Sequence, residues 1–358
     1  MGFLTKAVPR FPNGHRSHFL VLTLLIISWE PLRAETPFCD SCAPSRDFQG
    51  VPQEVPAAIQ ELRIQSFFES PVESVCRTPP RSIREPSKAA SSLLLPDRSI
   101  RKIFQETKAA VLEAAKTRLN LDKKSSGAPA FDAISQQLQR VQILSLSEYE
   151  SEIAKLPPQK EVDLTSGQTQ VRESFQAEYQ RIKPCGQKGE FPSAFQNRSL
   201  GWIVLCPGLI ERAKALSGRD PELLKSLLVH SMAHELGHSL DSDEFPNWHQ
   251  KLRNCLISSQ ADLAGRFAGK DRKFDVERRL SEVSTDHWAI EALVKNFRSR
   301  KLPREAALQH LKTALFDQCG KPGTPPYPSG QFRIEGIVAG NRSLRSFMKM
   351  PVDPKSCF

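Results

Sequence analysis

His234, Glu235 and His238 are the residues of this sequence whose types and spacing carry a definite chemistry. The two histidines lie four apart, so on a helix they share a face. Each can turn one ring nitrogen to the same Zn²⁺ ion, at about 2.0–2.1 Å. Glu235 borders that face and need not bind the ion. A carboxylate there can take a proton from an attacking water, which makes it a general base. The surrounding run predicts the helix this requires. Asp220 is a natural N-cap and Pro221 suits the first turn. Leu223, Leu224, Leu227, Leu228, Met232 and Leu236 then recur at helical spacing over about five turns.

Two imidazoles need a third protein ligand, and the run from Arg278 to Lys295 offers one. It reads as a second helix with Leu280, Val283, Trp288, Ala289, Leu293 and Val294 on its inner side. Glu282 and Asp286 are four apart and face the same way. Glu282 can close a two-histidine, one-carboxylate site that leaves the fourth position for water. Asp286, one turn on, can accept the free ring N–H of a ligating histidine and so fix its tautomer. His287 competes for the ligand role, but it points roughly 100° away from the Glu282 face.

The other elements follow from the same periodicities. Helices are predicted over Ser99–Leu121, Val171–Ile182, Trp248–Ala268, Arg272–Arg298 and Arg304–Phe316, and one or two more over Phe131–Ile153. On the first, Ile103, Ala110, Val111, Ala114 and Leu119 face inward. On the last-named run, Ile134, Leu138, Val141 and Ile143 do. Gly201–Cys206 is the clearest strand, and Phe332–Val338 reads as a short second one. Gly320–Pro328, rich in proline, must be a loop.

The pattern His-Glu-x-x-His followed by Glu-x-x-x-Asp resembles the gluzincin metallopeptidases, and among them the neprilysin family. Three further stretches carry the resemblance: Phe195-Gln-Asn-Arg-Ser-Leu-Gly-Trp-Ile203-Val-Leu-Cys-Pro207 before the helix; Phe245-Pro-Asn-Trp248 and Cys255 after it; and Cys319-Gly320, Gly330-Gln-Phe-Arg333-Ile-Glu-Gly336, Asn341, Phe347 and Lys355-Ser-Cys357-Phe358 at the end. It spans roughly residues 190–358, and nothing over 45–180 shares in it. It implies a mainly α, α+β gluzincin-type domain with a small antiparallel or mixed sheet, and an N-terminal helical cover smaller than in the family. It also implies a strand lining the cleft that pairs with an extended substrate, and an arginine, matched by Arg333, that grips a substrate carbonyl. Two positions depart from the family. Its substrate-holding Asn-Ala pair reads Ser193-Ala194, and its oxyanion-stabilising histidine falls at Tyr327, whose hydroxyl can donate the same bond. For the cysteines the resemblance implies Cys255 with Cys357, and Cys319 with Cys76. Those pairs leave Cys185 for Cys206 and Cys39 for Cys42.

The 358 residues suffice for one or two domains with a real core. The net charge of +10 is partly carried by Lys6, Arg10, Arg16 and Arg33. The remainder is mildly basic, its charges are interspersed, and no basic run is interleaved with aromatics, which argues against nucleic acid as a partner. Those four basic residues flank the apolar run Phe19–Trp29, too short for the roughly twenty residues a membrane span needs. With Ala34 as the small residue at the cut, 1–34 reads as a signal peptide, and no transmembrane segment follows it. All eight cysteines lie beyond it, which favours disulfides and a secreted, periplasmic or envelope location. The expected organisation is 1–34 signal, 35–98 a Pro/Ser-rich extended arm, 99–184 helical cover and 185–358 catalytic domain. The expected activity is zinc-dependent hydrolysis of a peptide or protein substrate. Two alternatives use the same residues: a zinc-binding envelope or scaffold protein without turnover, to which Ser193 and Tyr327 point, and a hydrolase of cell-wall peptides.

Overall fold

The protein is described here from a computed structural model covering residues 56–77, 97–121, 128–156, 183–218, 220–240, 252, 254–256, 258, 276–323, 328–352, 356 and 357. The signal segment, Cys39, Cys42, Tyr327 and the helix expected over Val171–Ile182 lie outside these residues, as does most of that over Trp248–Ala268, where only Leu252, Asn254–Leu256 and Ser258 are described, all helical.

The described chain is mostly helical, with one small mixed sheet. Its centre is a pair of helices, α7 (Pro221–His238) and α8 (Val276–Ser299), packed along each other. Helix α7 starts where expected: the Asp220 carboxylate accepts from the backbone N–H of Glu222 and Leu223 at 2.9 and 3.0 Å. Leu228, Val229, Met232, Ala233 and Leu236 are buried on α7, as are Trp288, Ala289, Ile290, Leu293 and Phe297 on α8. Both helices are therefore covered on nearly every side. Their neighbours include α3 (Asp97–Leu121), α6 (Pro207–Ser217) and α9 (Arg304–Phe316).

The sheet has the order β1–β3–β2. Strand β3 (Trp202–Leu205) is the predicted one; it pairs antiparallel with β2 (Ala194–Asn197) and parallel with β1 (Gln142–Leu144). The Cys206 N–H donates to Ser193 O at 3.1 Å. This makes Phe195 and Asn197 the β2 residues bonded to β3, and turns the backbone groups of Ala194 and Gln196 outward along the other edge. No described strand covers that edge.

Four expectations need correction. Phe332–Val338 is no strand; it lies in helix α10 (Gly330–Gly340). Ser329 caps that helix through Phe332 N–H, and both the alternating set Phe332, Ile334, Gly336 and Val338 and the off-phase Ile337 are buried, so burial on several sides mimicked a strand period. The region 35–98 is not wholly extended: α1 (Ala57–Glu69) and α2 (Pro71–Cys76) form there, with Ile64, Phe67 and Val75 in the core. Pro56 and Pro71 sit at their starts, where a missing N–H costs nothing. Phe131–Ile153 is α4 (Ala128–Arg140), then β1, then α5 (Leu146–Lys155), which Ser145 and Glu148 open with a capping box. Finally, the described part of 99–184 is not helical throughout: strand β1 belongs to the same sheet as β3, and α3 packs on α7 and α8.

Three cysteine pairs are at disulfide distance: Cys76–Cys319, Cys185–Cys206 and Cys255–Cys357. These are the three pairings expected among the described cysteines. No described helix is long and apolar enough to cross a membrane.

Candidate metal centre

Close packing of α7 on α8 creates the centre. Gly237 lies between Glu235 and His238 on α7, and a methyl group there would meet Thr285 Cα at 3.0 Å and its Cβ at 3.1 Å. The missing side chain lets the histidine face approach the turn of α8 that carries Glu282 and Asp286. His234 Nε2 then lies 3.4 Å from Glu282 Oε2, and His238 Nε2 lies 3.7 Å from Glu282 Oε1. One ligand atom from each of the three residues falls within 4.8 Å of the others. Two imidazole nitrogens and one carboxylate, converging from two rigid helices, are a donor set that suits a divalent cation.

The residues around the three favour a positive charge among them. His234 Nδ1 is 3.0 Å from Asp286 Oδ1, which leaves Nε2 for a cation. Asp286 is also gripped by Arg333, whose Nε and Nη2 donate to its two oxygens at 2.6 and 2.5 Å. Burial pushes the Asp286 carboxyl up, but Arg333 and His234 outweigh it and hold it far below the usual range. Burial likewise lowers His234, yet the two carboxylates prevail and raise it to about 10. Glu282 stays below its ordinary value because His234 and His238 offset its burial.

His238 is held differently. Arg198 sets Nη2 2.9 Å from His238 Nδ1 and 3.3 Å from Ser281 Oγ. A guanidinium only donates, so this contact favours the ring proton on Nε2. A cation held at Nε2 would need that proton on Nδ1, with Arg198 then turned to Ser281.

Glu235 is 7% exposed and opens into a cleft of about 670 Å³ that is also lined by His234, His238, Glu282 and Arg198. Burial raises its carboxyl to about 7, Glu282 adds to this, and His234, Arg333 and Arg198 oppose it. That places a proton acceptor near neutrality at the edge of the ligand face.

The remaining site residues divide. Ser193 and Ala194 border the cleft at the start of β2, but the Ser193 hydroxyl donates to Pro184 O at 3.1 Å. Arg333 borders the cleft while its Nε and Nη2 both donate to Asp286. His287 is fully buried and outside the ligand group. Sequence reasoning passed over Arg198 and Gln196. The latter's amide donates to Ser239 Oγ just beyond His238. The only signal for either was position, next to the strand that leads to the cleft. No protein-family model, curated protein or solved structure matches the chain.

Proposed function

We propose that this protein is an exported zinc-dependent peptidase of the gluzincin kind, similar to the neprilysin family. The observation that carries the reading is the convergence of His234, His238 and Glu282 in one cleft with Glu235 at their edge and Asp286 behind His234. Zn²⁺ bound by His234, His238 and Glu282 would polarise a carbonyl and make water more acidic. Glu235 accepts the proton of the water that attacks the peptide carbonyl, and later passes it to the leaving amine. Asp286 keeps the His234 ring in place, and Arg333 keeps Asp286 ionised. The substrate backbone lies along β2, where the outward groups of Ala194 and Gln196 offer hydrogen bonds to an extended chain. The three cysteine pairs and the apolar N-terminal run support an oxidising, extracytoplasmic setting.

A second reading, a zinc-binding protein without turnover, is favoured by Ser193, whose hydroxyl serves Pro184 rather than the cleft. A quenched-peptide library separates the two. The zinc-loaded chain should cleave, chelator should stop it, and Glu235→Gln should keep zinc while losing about 10²-fold or more in rate. Zinc binding with no cleavage of any peptide selects the second reading, and failure to bind zinc refutes both.

A further inference from the structure

Past Glu235 the cleft continues into a pocket of about 170 Å³, on the side of His234 away from Glu282. Leu216 of α6, Leu227 of α7 and Ala314 of α9 give it apolar walls. Its polar groups are underused. His230 is 8% exposed, and its Nε2 has no hydrogen-bond partner. Gln318, equally buried, leaves Oε1 without one. Lys321, an exposed residue, borders both this pocket and the cleft at their mouth. The nearby acid, Asp317, is taken by Arg212 at 2.5 Å.

Buried polar groups are rarely left without partners, so His230 Nε2 and the Gln318 amide call for a ligand or water, and the exposed Lys321 ammonium at the mouth is free to meet an anion. A methylene chain ending in a carboxylate matches this surface: its stem packs on the leucines, and its oxygens accept from Lys321 and from an Nε2–H on His230. The Gln318 amide can turn its NH₂ end to the same group. A cationic side chain would meet Lys321, and an apolar one would leave His230 and Gln318 unsatisfied.

We propose that this pocket is a specificity site for a carboxylate side chain, aspartate or glutamate, on a residue flanking the scissile bond, with Lys321 as its counter-ion and His230 as a second donor. The role in cleavage rests on the peptidase reading; the binding of the acid does not.

Two measurements on the full zinc-loaded chain keep these apart. The first is calorimetric binding of two blocked tripeptides, acetyl-Ala-Glu-Ala-amide and its glutamine counterpart. The glutamate peptide should bind about tenfold more tightly or better, the advantage should vanish in Lys321→Met and survive in Lys321→Arg. Equal binding of the two peptides, or a preference untouched by Lys321→Met, overturns the proposal. The second is kcat/KM for quenched peptides with Glu, Gln or Lys on either side of the bond. Wild type should favour Glu by a similar factor, and Lys321→Glu should shift the preference toward Lys. Cleavage without preference for Glu overturns the proposal and leaves the peptidase standing. Acid-selective binding without cleavage does the reverse.

Discussion

Asp286 is where the electrostatics of the centre turn. It is 1% exposed, accepts from Arg333 at both oxygens and fixes His234 from behind. Arg333→Met would leave that carboxylate buried without its main partner, at a cost of about 3–5 kcal/mol, readable as a fall in urea-unfolding free energy at pH 7. A loss below about 1 kcal/mol would mean that water already solvates Asp286. The same two carboxylates give metal binding a proton signature. His234, raised to about 10, carries a proton at pH 7.5 in the metal-free chain, and a cation must displace it. Calorimetric zinc titration in two buffers of different ionisation enthalpy should therefore show release of about one proton. Heats identical in both buffers would contradict this. The sequence made Asp286 legible as an acceptor for a ligating histidine because these residues sit on helix faces of fixed spacing, but not that the histidine is His234. It could not pair Arg333 with Asp286, since the fork arrives from α10, a helix whose pattern read as a strand.

At the scale of elements, the decisive fact is how near α7 comes to α8. Gly237→Ala sets a helix-propensity gain of about 1 kcal/mol against a methyl that presses on the Thr285 backbone. Backbone cannot step aside as a flexible side chain does, so the press should win, with a net cost of about 1–3 kcal/mol and a wider gap between the histidines and Glu282. Zinc affinity measured by competition with a chromophoric chelator should fall with stability. Unchanged affinity would show that the helices separate freely. The capped ends of these elements were legible: Asp220 and Ser145 begin helices for reasons local to a few residues. Val141-Gln-Ile-Leu144 was not, because a short apolar run fits a buried strand as well as a helix, and its parallel partner lies sixty residues on. Amphipathic faces also misled. Helices α7 and α8 are enclosed on nearly all sides, so the apolar stripe marked only part of what each one buries.

Over the whole molecule, pH balances two histidines of α7 against each other. His230 is buried and lowered by that burial to about 4, whereas the carboxylates raise His234 to about 10. For His230 the unfolded chain takes up the proton first, near 6.5. Its contribution is therefore complete above pH 6.5 and is lost as pH falls from there to about 4, a change of about 3 kcal/mol. His310, also lowered by burial, adds loss in the same direction. For His234 the sign reverses. Its contribution is complete below pH 6.5 and drains away as pH rises toward 10. Glu235, raised to about 7, works against His230: its contribution is complete below pH 4.5 and is lost as pH rises to about 7. Between pH 4 and 7 the metal-free chain therefore shows only the balance of the two, and the His230 share is read as a difference between wild type and variant. Urea unfolding of the metal-free chain at intervals from pH 4 to 9 maps this balance and the alkaline limb. His230→Gln, which keeps a polar side chain and removes the titration, should take away about 3 kcal/mol of the rise between pH 4 and 6.5 relative to wild type, while leaving the alkaline limb in place. If the variant and wild type show the same slope between pH 4 and 6.5, His230 is already solvated in the folded chain. Zinc should flatten the alkaline limb instead, since a cation bound at His234 takes over the attraction that its proton supplied.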